Sequence, residues 1–349
     1  MTTALHDRPL RWGIIGTGAI ASAFATDLEF LPDAEIVSVG SRTSAGAEKF
    51  GNTHGIPRRY ASYAELVADE LVDAVYVATP HPLHHKCALL AIAAGKAVLV
   101  EKPFALNAEQ ASEVVAAAQA RGTFAMEAMW TRFLPHIVRV RELIAAGRLG
   151  EVRSLQADFG EQFLPDPGHR AFAPQLGGGA LLDLGIYPVS FASMLFGTPT
   201  HIAALSHPTF SHVDSQTAVL LMYREGQLAV LLTSLETVNG NTAHINGTKA
   251  RIEIEGDFLA PTRFRLIEPD GRVEIYDQPH QGRGLRHQAA EVARCLRARL
   301  LESPIIPLGE TLSIMQTLDE IRSHIGLVYP GEHDRADPDP APVQPHLGP

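Results

Sequence analysis

A glycine-rich turn near the start of the chain constrains the fold more than any other feature. The apolar stretch Arg11–Gly16 has the character of a buried strand, and Gly16-Thr17-Gly18-Ala19-Ile20-Ala21 then opens a helical pattern. The first glycine allows a tight turn, the second lets a pyrophosphate approach the backbone, and the third position needs only a small residue. Amide groups at the start of the helix would face the phosphates. The pattern predicts a dinucleotide-binding unit.

Strand and helix patterns alternate after this turn. Helical patterns separate apolar strands predicted at 35–41, 73–78, 97–101 and 123–126. Alternation of this kind predicts a doubly wound parallel sheet, because parallel strands need crossover helices and are buried on both faces. We therefore expect an α/β fold that begins with a Rossmann dinucleotide-binding domain over residues 1–128.

The end of the second predicted strand bears on the choice of cofactor. An NAD site usually carries an acidic residue there, about 20 residues beyond the glycines, to hold the ribose hydroxyls. This chain has Gly40-Ser41-Arg42-Thr43 instead. A hydroxyl and a guanidinium suit a 2′-phosphate through charge-assisted hydrogen bonds. The sequence therefore favours NADP over NAD; the alternative is that Arg42 is a solvated loop residue.

A lysine follows the central predicted strand, in the run Val98-Leu99-Val100-Glu101-Lys102-Pro103. Proline cannot donate a further ladder hydrogen bond, so the strand ends or turns there. Ligands bind at the carboxyl ends of strands in such sheets. We expect Lys102 to reach into the cofactor cleft, the alternative being an ordinary strand end with a solvated lysine.

Three histidines, His81, His84 and His85, follow the preceding strand. The region has no cluster of carboxylates or thiolates, and two adjacent residues of a helix cannot face one ion together. No metal site is predicted. We expect His84 at a helix start beside the cofactor cleft and His85 in solvent.

The second half of the chain has a different hydrophobic pattern. Period-two patterns with few helices between them predict a large open, mainly antiparallel sheet with one covered face. The strands are predicted at 151–162, 201–207, 217–223, 227–235, 244–255, 263–268 and 272–276, with closing helices at 284–300 and 309–327. We expect an α/β domain over 129–329 and a disordered tail, dense in Pro, Asp and Gly, over 330–349.

One segment in this half departs from the strand pattern. The glycines Gly177-Gly178-Gly179 open a helical pattern in which Asp183 and Tyr187 stand four residues apart and so share a face. An acid and a phenol beside a glycine loop make a candidate site. The alternative is that Asp183 pairs with a cation and Tyr187 packs in the core.

Composition limits the partners and the compartment. The chain has 349 residues, 29 Lys and Arg against 39 Asp and Glu, and a formal net charge of −10. An acidic chain without a basic run is a poor binder of nucleic acid or membrane surfaces. The chain has two cysteines, no basic and apolar leader, and no apolar run of the length that a spanning helix needs. We expect a cytoplasmic protein without disulfides.

Taken together, three motifs resemble the Gfo/Idh/MocA family of oxidoreductases, which includes glucose–fructose oxidoreductase and inositol dehydrogenase. They are the opening Gly-x-Gly-x-x-Ala, Glu101-Lys102-Pro103, and the triple glycine followed by Asp183 and Tyr187. Many members have His at the position of Tyr187. Tyrosine here is typical of the branch that holds dimeric dihydrodiol dehydrogenases and NADP-dependent D-xylose dehydrogenases. The segments most similar to that branch are Met126–Phe133, Gly178–Val189, Asn246–Ala250 and Glu302–Leu308.

The resemblance implies a substrate bound between the two domains, over the nicotinamide, and a homodimer formed through the open face of the second sheet. Position by position, it implies that Lys102 and Tyr187 form the catalytic pair with Asp183 beside them, and that Trp130 and Phe159 line the substrate pocket. We expect cofactor contacts from Gly16, Thr17, Gly18, Ala19, Ile20, Ser41, Arg42, Thr79, His81, His84, Glu101, Lys102, Trp130 and Arg132.

The implied activity is hydride transfer between NADP, with NAD possible, and a secondary alcohol or carbonyl of a sugar or cyclic diol. Tyr187 would be the acid or base. The Lys102 ammonium should lower the pKa of the phenol, and partial burial should lower the pKa of Lys102, so the two could exchange roles. Asp183 would orient the substrate or hold Lys102. The alternatives are an aldose or anhydrosugar reductase, and a cofactor-binding regulator without turnover.

Overall fold

The computed structural model describes residues 8–332 and begins with a six-stranded sheet in the order β3-β2-β1-β4-β5-β6. Every neighbouring pair in this sheet is parallel. Its strands are β1 Leu10–Ile15, β2 Ala34–Gly40, β3 Arg58–Tyr60, β4 Ala74–Val77, β5 Ala97–Glu101 and β6 Ala125–Ala128. The connecting helices are α1 Ala19–Leu28, α2 Ser44–His54, α3 Tyr63–Val67, α4 His84–Ala93 and α5 Ala108–Arg121. The predicted doubly wound parallel sheet is confirmed.

The strand order places the ligand crevice beside the glycine turn. β1 lies between β2 and β4, so consecutive connections leave it in opposite directions, and ligands bind outside the carboxyl ends of strands at such a point. The helix α1 is fixed there by an aromatic stack, since the Phe24 ring lies 3.9 Å from the Tyr76 ring and 5.4 Å from Trp12. The sequence did not predict β3, because three residues are too few to show a period.

The second sheet has eight strands in the order β14-β13-β12-β11-β7-β10-β9-β8. All its neighbouring pairs are antiparallel except β7 with β10. This confirms the predicted large open sheet. Its strands are β7 Val152–Gly160, β8 His201–Pro208, β9 Asp214–Met222, β10 Leu228–Ser234, β11 Ala243–Gly247, β12 Arg251–Ile254, β13 Phe264–Ile267 and β14 Val273–Tyr276.

One predicted strand, at 244–255, is wrong in its extent. The chain turns inside it, and β11 and β12 pair as an antiparallel hairpin. The turn is Gly247-Thr248-Lys249-Ala250, closed by a hydrogen bond from Gly247 N to the Ala250 carbonyl at 3.0 Å, and Asn246 still pairs with Arg251 in the ladder. A side chain at Gly247 would lie 2.2 Å from the Leu149 carbonyl, so this turn requires glycine.

In the second half, as far as residue 332, the structure has four α-helices: α6 Pro135–Ala145, α7 Ile186–Phe196, α8 Arg286–Arg297 and α9 Leu308–Ile325. α7 packs on β7 and β10, and α9 packs on α5 of the first sheet as well as on α7 and β8. By length and composition the 23-residue stretch Pro174–Phe196 could cross a membrane, contrary to the prediction that no apolar run is long enough. However, 78% of its most apolar window is buried inside the protein.

The domain boundaries stay a prediction. Within the segment predicted as a tail, Glu332 accepts hydrogen bonds from Arg322 and from Asn107. The rest of that segment, from residue 333 onwards, lies outside the described residues.

A buried carboxyl joins the two halves. Glu127 on β6 is fully buried and accepts hydrogen bonds from Phe104 N at 3.1 Å and from Thr311 Oγ1, on α9, at 3.4 Å. Burial raises the pKa of Glu127 to about 7.

This carboxyl should make stability fall as pH rises. A carboxyl whose pKa is higher in the folded state stabilises the fold at low pH. This stabilisation is lost as the pH rises from the unfolded pKa, 4.5, to the folded pKa, about 7. Over that range the free energy of unfolding of the wild-type protein should fall about 1–3 kcal/mol more than that of Glu127→Gln. Urea denaturation at a series of pH values measures this difference. Glu142→Gln, on the exposed face of α6, is the control, and equal pH slopes for wild type and Glu127→Gln would contradict the assignment.

Candidate active site

A cavity of about 390 Å³ lies where the carboxyl ends of the first sheet face the second half of the chain. It brings together most of the residues predicted from the sequence: Gly18, Ala19, Ile20, Thr79, His81, His84, Glu101, Lys102, Trp130, Phe159, Asp183 and Tyr187. Gly16, Thr17, Ser41, Arg42 and Arg132 do not line it.

The glycine turn forms one wall of the cavity. Gly16 has φ +106°, and a side chain there would lie 2.4 Å from the Ala78 carbonyl, so only glycine fits. At Gly18 the space that a side chain would fill is open, and α1 starts there without a side-chain cap. The first-turn amides therefore face open space with a positive helix end behind them. This wall fits the pyrophosphate of a dinucleotide.

Ser41 and Arg42 lie next to this turn, outside the cavity. β2 ends at Gly40, which stands in register with Ile15, and the Gly40 carbonyl accepts a hydrogen bond from Gly16 N at 3.0 Å. Ser41 is buried and Arg42 is exposed. Within residues 8–332 the guanidinium of Arg42 has no hydrogen-bond or ion-pair partner.

Lys102 crosses from the first sheet to the second half of the chain. Its ammonium donates to the Asp183 backbone carbonyl at 2.6 Å and to Asp183 Oδ1 at 3.1 Å. Arg170 Nη1 donates to Asp183 Oδ2 at 2.8 Å. Burial alone would raise the pKa of the Asp183 carboxyl, but Lys102 and Arg170 hold it well below its ordinary value. Asp183 is thus a buried anion that holds the lysine in place.

Asp183 lies in a π-helical turn, Leu181–Gly185, where the sequence predicted a regular α-helix. Leu181 N at its start donates to Asp214 Oδ2, on β9, at 2.7 Å. The wider turn carries one more residue than an α-helical turn, and both the carbonyl and the carboxylate of Asp183 contact Lys102. Turns of this kind occur frequently at functional sites.

The Tyr187 hydroxyl has one of its hydrogen-bonding positions filled. Trp130 Nε1 donates to Tyr187 Oη at 2.9 Å, and the Phe159 ring meets the Tyr187 ring edge-on at 5.6 Å. Lys102 Nζ lies 4.9 Å from the centre of the same ring. Because the indole uses an acceptor position, the Tyr187 proton remains available to donate.

The protonation states differ from both expectations. Burial raises the pKa of Tyr187, and the charge of Lys102 opposes this without outweighing it. Burial would lower the pKa of Lys102, but the negative charges possible at Tyr187, Asp183 and Glu101 together raise it. The expected lowered values were wrong. At neutral pH the pair is a neutral phenol beside a charged ammonium.

The remaining predicted residues brace the cavity. His81 Nδ1 lies 3.0 Å from the Gly177 carbonyl, and burial lowers the pKa of His81 to about 3. The ring nitrogens of His84 lie 2.7 Å and 2.8 Å from the carbonyls of Pro103 and Thr79, so this ring links the segments after β4 and β5. Glu101 accepts a hydrogen bond from Tyr76 at 2.5 Å, and burial raises its pKa to about 7.

Arg132 and His85 have partners outside the cavity. Arg132 is 2% exposed and donates to the Ser190 carbonyl at 2.6 Å and to Glu310 at 2.7 Å, a buried link between helices rather than a cofactor contact. His85 bonds Glu113 at 2.7 Å instead of lying free in solvent. Residues 8–332 contain no group of three or more side chains that could hold a metal ion.

Sequence reasoning missed several cavity residues. Arg170 and Glu161 come from the loop after β7, and Leu259, Arg283 and Leu285 come from segments between β12 and α8. These loops have no periodicity. The one available signal was the Gly282-Arg283-Gly284 pattern, which marks a constrained backbone.

Together the fold and the cavity define an oxidoreductase that uses a nicotinamide dinucleotide. Residues 10–128 match the family described as "Oxidoreductase family, NAD-binding Rossmann fold", and residues 137–253 match the "GFO/IDH/MocA C-terminal domain". The chain belongs to the Gfo/Idh/MocA family of oxidoreductases, as the sequence motifs predicted.

Relatives and solved structures agree with this assignment. Trans-1,2-dihydrobenzene-1,2-diol dehydrogenase of Homo sapiens is 39% identical over 92% of this chain and 98% of its own, and the enzyme of Oryctolagus cuniculus is 40% identical over 91% and 99%. The aldose–aldose oxidoreductase of Caulobacter crescentus has a TM-score of 0.83 at 25% identity, covering 91% of this chain and 97% of its own. KijD10, a 3-ketoreductase of Actinomadura kijaniata in complex with NADP and TDP-benzene, has a TM-score of 0.80 at 28% identity, over 91% and 98%. The chain is an enzyme with an NAD(P)-binding domain that acts on CH–OH groups.

Proposed function

We propose that the protein is an NADP-preferring dehydrogenase for a secondary alcohol of a sugar or cyclic diol, of the D-xylose or trans-dihydrodiol type. The observation that carries this proposal is the Tyr187 hydroxyl, which accepts from Trp130 and keeps its own proton free beside the Lys102 ammonium. The names of the relatives support a cyclic diol, and those of the solved structures support sugars.

The chain's own residues handle the proton. The bound nicotinamide would supply or accept the hydride. In the direction of carbonyl reduction, Tyr187 gives its proton to the carbonyl oxygen, and Lys102 stabilises the phenolate that remains. In the direction of alcohol oxidation, Tyr187 first releases its proton to solvent, and the phenolate, stabilised by Lys102, then takes the hydroxyl proton. Asp183 holds Lys102 within reach of the phenol.

The walls of the cavity suit a ring with hydroxyl groups. Trp130, Phe159 and Leu259 give an apolar surface that can cover one face of a pyranose or a cyclohexadiene. Glu161 and Arg170 on the same cavity can hydrogen-bond hydroxyls at its rim. A second candidate is an aldose or anhydrosugar reductase, which the protonated state of Tyr187 favours.

The preference for NADP rests on the end of β2. The segment Ser41-Arg42-Thr43 offers a hydroxyl and a guanidinium that has no hydrogen-bond or ion-pair partner within the described range 8–332, and the segment itself contains no acid to repel a 2′-phosphate. We also propose a cytoplasmic location, supported by two free cysteines, Cys87 and Cys295. Fractionation of source cells tests the location. We propose no nucleic-acid or membrane partner.

A homodimer is proposed through the outer face of the second sheet. Strands β8, β9 and β10 present an apolar patch there, because Leu220 stands in register with Val230 and with Ala203. Exposed apolar patches of this kind mark interaction sites. The patch consists of Ala203, Leu205, Ala218, Leu220, Met222, Leu228, Val230 and Leu232.

Removing either member of the proton-handling pair should slow turnover. Lys102→Met and Tyr187→Phe should each lower kcat by about 10²–10⁴-fold, the usual contribution of acid–base catalysis, with NADPH affinity largely kept. The assay follows nicotinamide absorbance over a panel of D-xylose, other aldoses and a trans-dihydrodiol, with NAD and NADP in parallel. Lys86→Met and Tyr276→Phe, outside the cavity, are the controls. Near wild-type turnover in both variants would remove this assignment, and tight NADP binding without turnover on any substrate would favour a regulator.

Arg42 should discriminate between the two cofactors. Arg42→Ala should raise KM for NADP about 10–100-fold, the worth of a hydrogen-bonded charge, and leave KM for NAD nearly unchanged. Lys49→Ala removes the same charge from the exposed face of α2 and should change neither value. Equal effects on NADP and NAD would contradict a 2′-phosphate contact.

Charge at the centre of the apolar patch should separate a dimer. Leu220→Lys should halve the molar mass that light scattering measures during gel filtration, because an unpaired ammonium in an apolar interface is costly. Leu71→Lys, an exposed leucine of the first sheet's domain, should not. A wild-type protein that is monomeric at micromolar concentration would contradict the dimer.

A further inference from the structure

A short turn from the second half of the chain, Gly282-Arg283-Gly284, is docked on the dinucleotide helix. Asp27 on α1 is 1% exposed, and its two carboxylate oxygens accept Arg283 N at 2.7 Å and Leu285 N at 2.6 Å. Each oxygen of this buried carboxylate accepts a hydrogen bond from a backbone amide, so its hydrogen-bonding requirement is met and the geometry of the contact is fixed. The turn is therefore tied to the helix whose first residues face the crevice.

The two glycines fix the backbone on either side of Arg283. Gly282 has φ +62°, and a side chain there would lie 2.2 Å from Asp27 Oδ1. Gly284 has φ +93°, and a side chain there would lie 2.4 Å from Leu134 Cδ2. A left-handed backbone conformation with so little space for a side chain is compatible with glycine alone. The backbone of Arg283, between the two glycines, is therefore held in one position.

Arg283 lines the same cavity as Gly18, Ala19 and Ile20. Among the described residues the Arg283 guanidinium has no hydrogen-bond or ion-pair partner, whereas Arg170 and Lys102 are both engaged with Asp183. The glycine turn itself carries no Lys or Arg between residues 16 and 22. The start of α1 thus offers amides and a partial charge, and among residues 8–332 Arg283 is the cation on the same cavity that has no hydrogen-bond or ion-pair partner.

We propose that Arg283 binds the pyrophosphate of the nicotinamide dinucleotide, opposite the start of α1. A guanidinium matches two phosphate oxygens through paired hydrogen bonds. The 2′-phosphate is a poorer partner, since Ser41 and Arg42 do not line this cavity. The proposal rests on the NADP binding proposed above. It makes the second half of the chain a contributor to cofactor affinity, so that cofactor binding draws the two halves together.

Direct binding tests the proposal without turnover. Arg283→Gln should raise the Kd for NADPH, measured by its fluorescence, about 10–100-fold, as expected for a lost charge-assisted hydrogen bond. Its Ki for adenosine 2′-monophosphate, which lacks the pyrophosphate, should stay within about twofold when measured by displacement of NADPH. Arg283→Lys should recover part of the affinity, because the charge remains without the paired geometry. Lys86→Gln, an exposed cation on α4, is the control for net charge.

Three outcomes would overturn the proposal. An unchanged Kd for NADPH in Arg283→Gln would show that the guanidinium does not reach the cofactor, and an equal loss in Lys86→Gln would show a long-range charge effect. An equal loss for adenosine 2′-monophosphate would place the contact at the adenosine end. A wild-type protein that binds neither NADPH nor NADH would instead refute the proposed function, so the two failures are distinguishable.

Discussion

The contact between Lys102 and Asp183 is the interaction on which the site depends. The lysine ends a strand of the first sheet, and the aspartate lies in a π-turn held over the second sheet by Asp214. An ammonium that donates to both the carbonyl and the carboxylate of one residue has little freedom to move. Because the pair is buried, its attraction is weakly screened, and loss of either partner would leave an uncompensated charge.

This contact also sets the chemistry of the phenol. Lys102 lies over the Tyr187 ring, and Trp130 donates a hydrogen bond to the Tyr187 hydroxyl. Burial keeps the phenol protonated, while the ammonium lowers the cost of the phenolate that forms when the proton leaves. An active acid needs a proton that is held at neutral pH and a charge that stabilises its conjugate base. The cavity provides both from residues in the two halves of the chain.

Much of the fold and part of the site could be predicted from the sequence, for identifiable reasons. The glycine turn, the strand ending at Glu101 and the Asp183–Tyr187 spacing are each formed by residues close together in the sequence. The backbone conformation that such a pattern requires can therefore be predicted from the sequence. The split of 244–255 into a hairpin was not predicted, because the turn Gly247-Thr248-Lys249-Ala250 is short and the alternation continues on both sides of it. The branch of the family could be predicted because several of its motifs occur in this sequence in the same order.

Other features depended on contacts that no local pattern encodes. Arg132 sits beside Trp130 in sequence, yet its side chain turns away to Ser190 and Glu310. The pKa of Tyr187 depends on a balance between burial and charge, and burial is known only after folding. Arg170 and Arg283 come from loops without periodicity, and each is positioned by a partner far away in the chain, Asp183 and Asp27 respectively.

The protonation state of Tyr187 tests this account most directly. The measurement is ¹³C NMR of protein labelled at the tyrosine Cζ, with the Tyr187 resonance assigned by its loss in Tyr187→Phe. The account predicts that this resonance keeps the chemical shift of a neutral phenol up to at least about pH 10, the ordinary value for tyrosine, and that Lys102→Met moves its titration higher still. A phenolate that forms near pH 7, or a titration that Lys102→Met leaves in place, would contradict it.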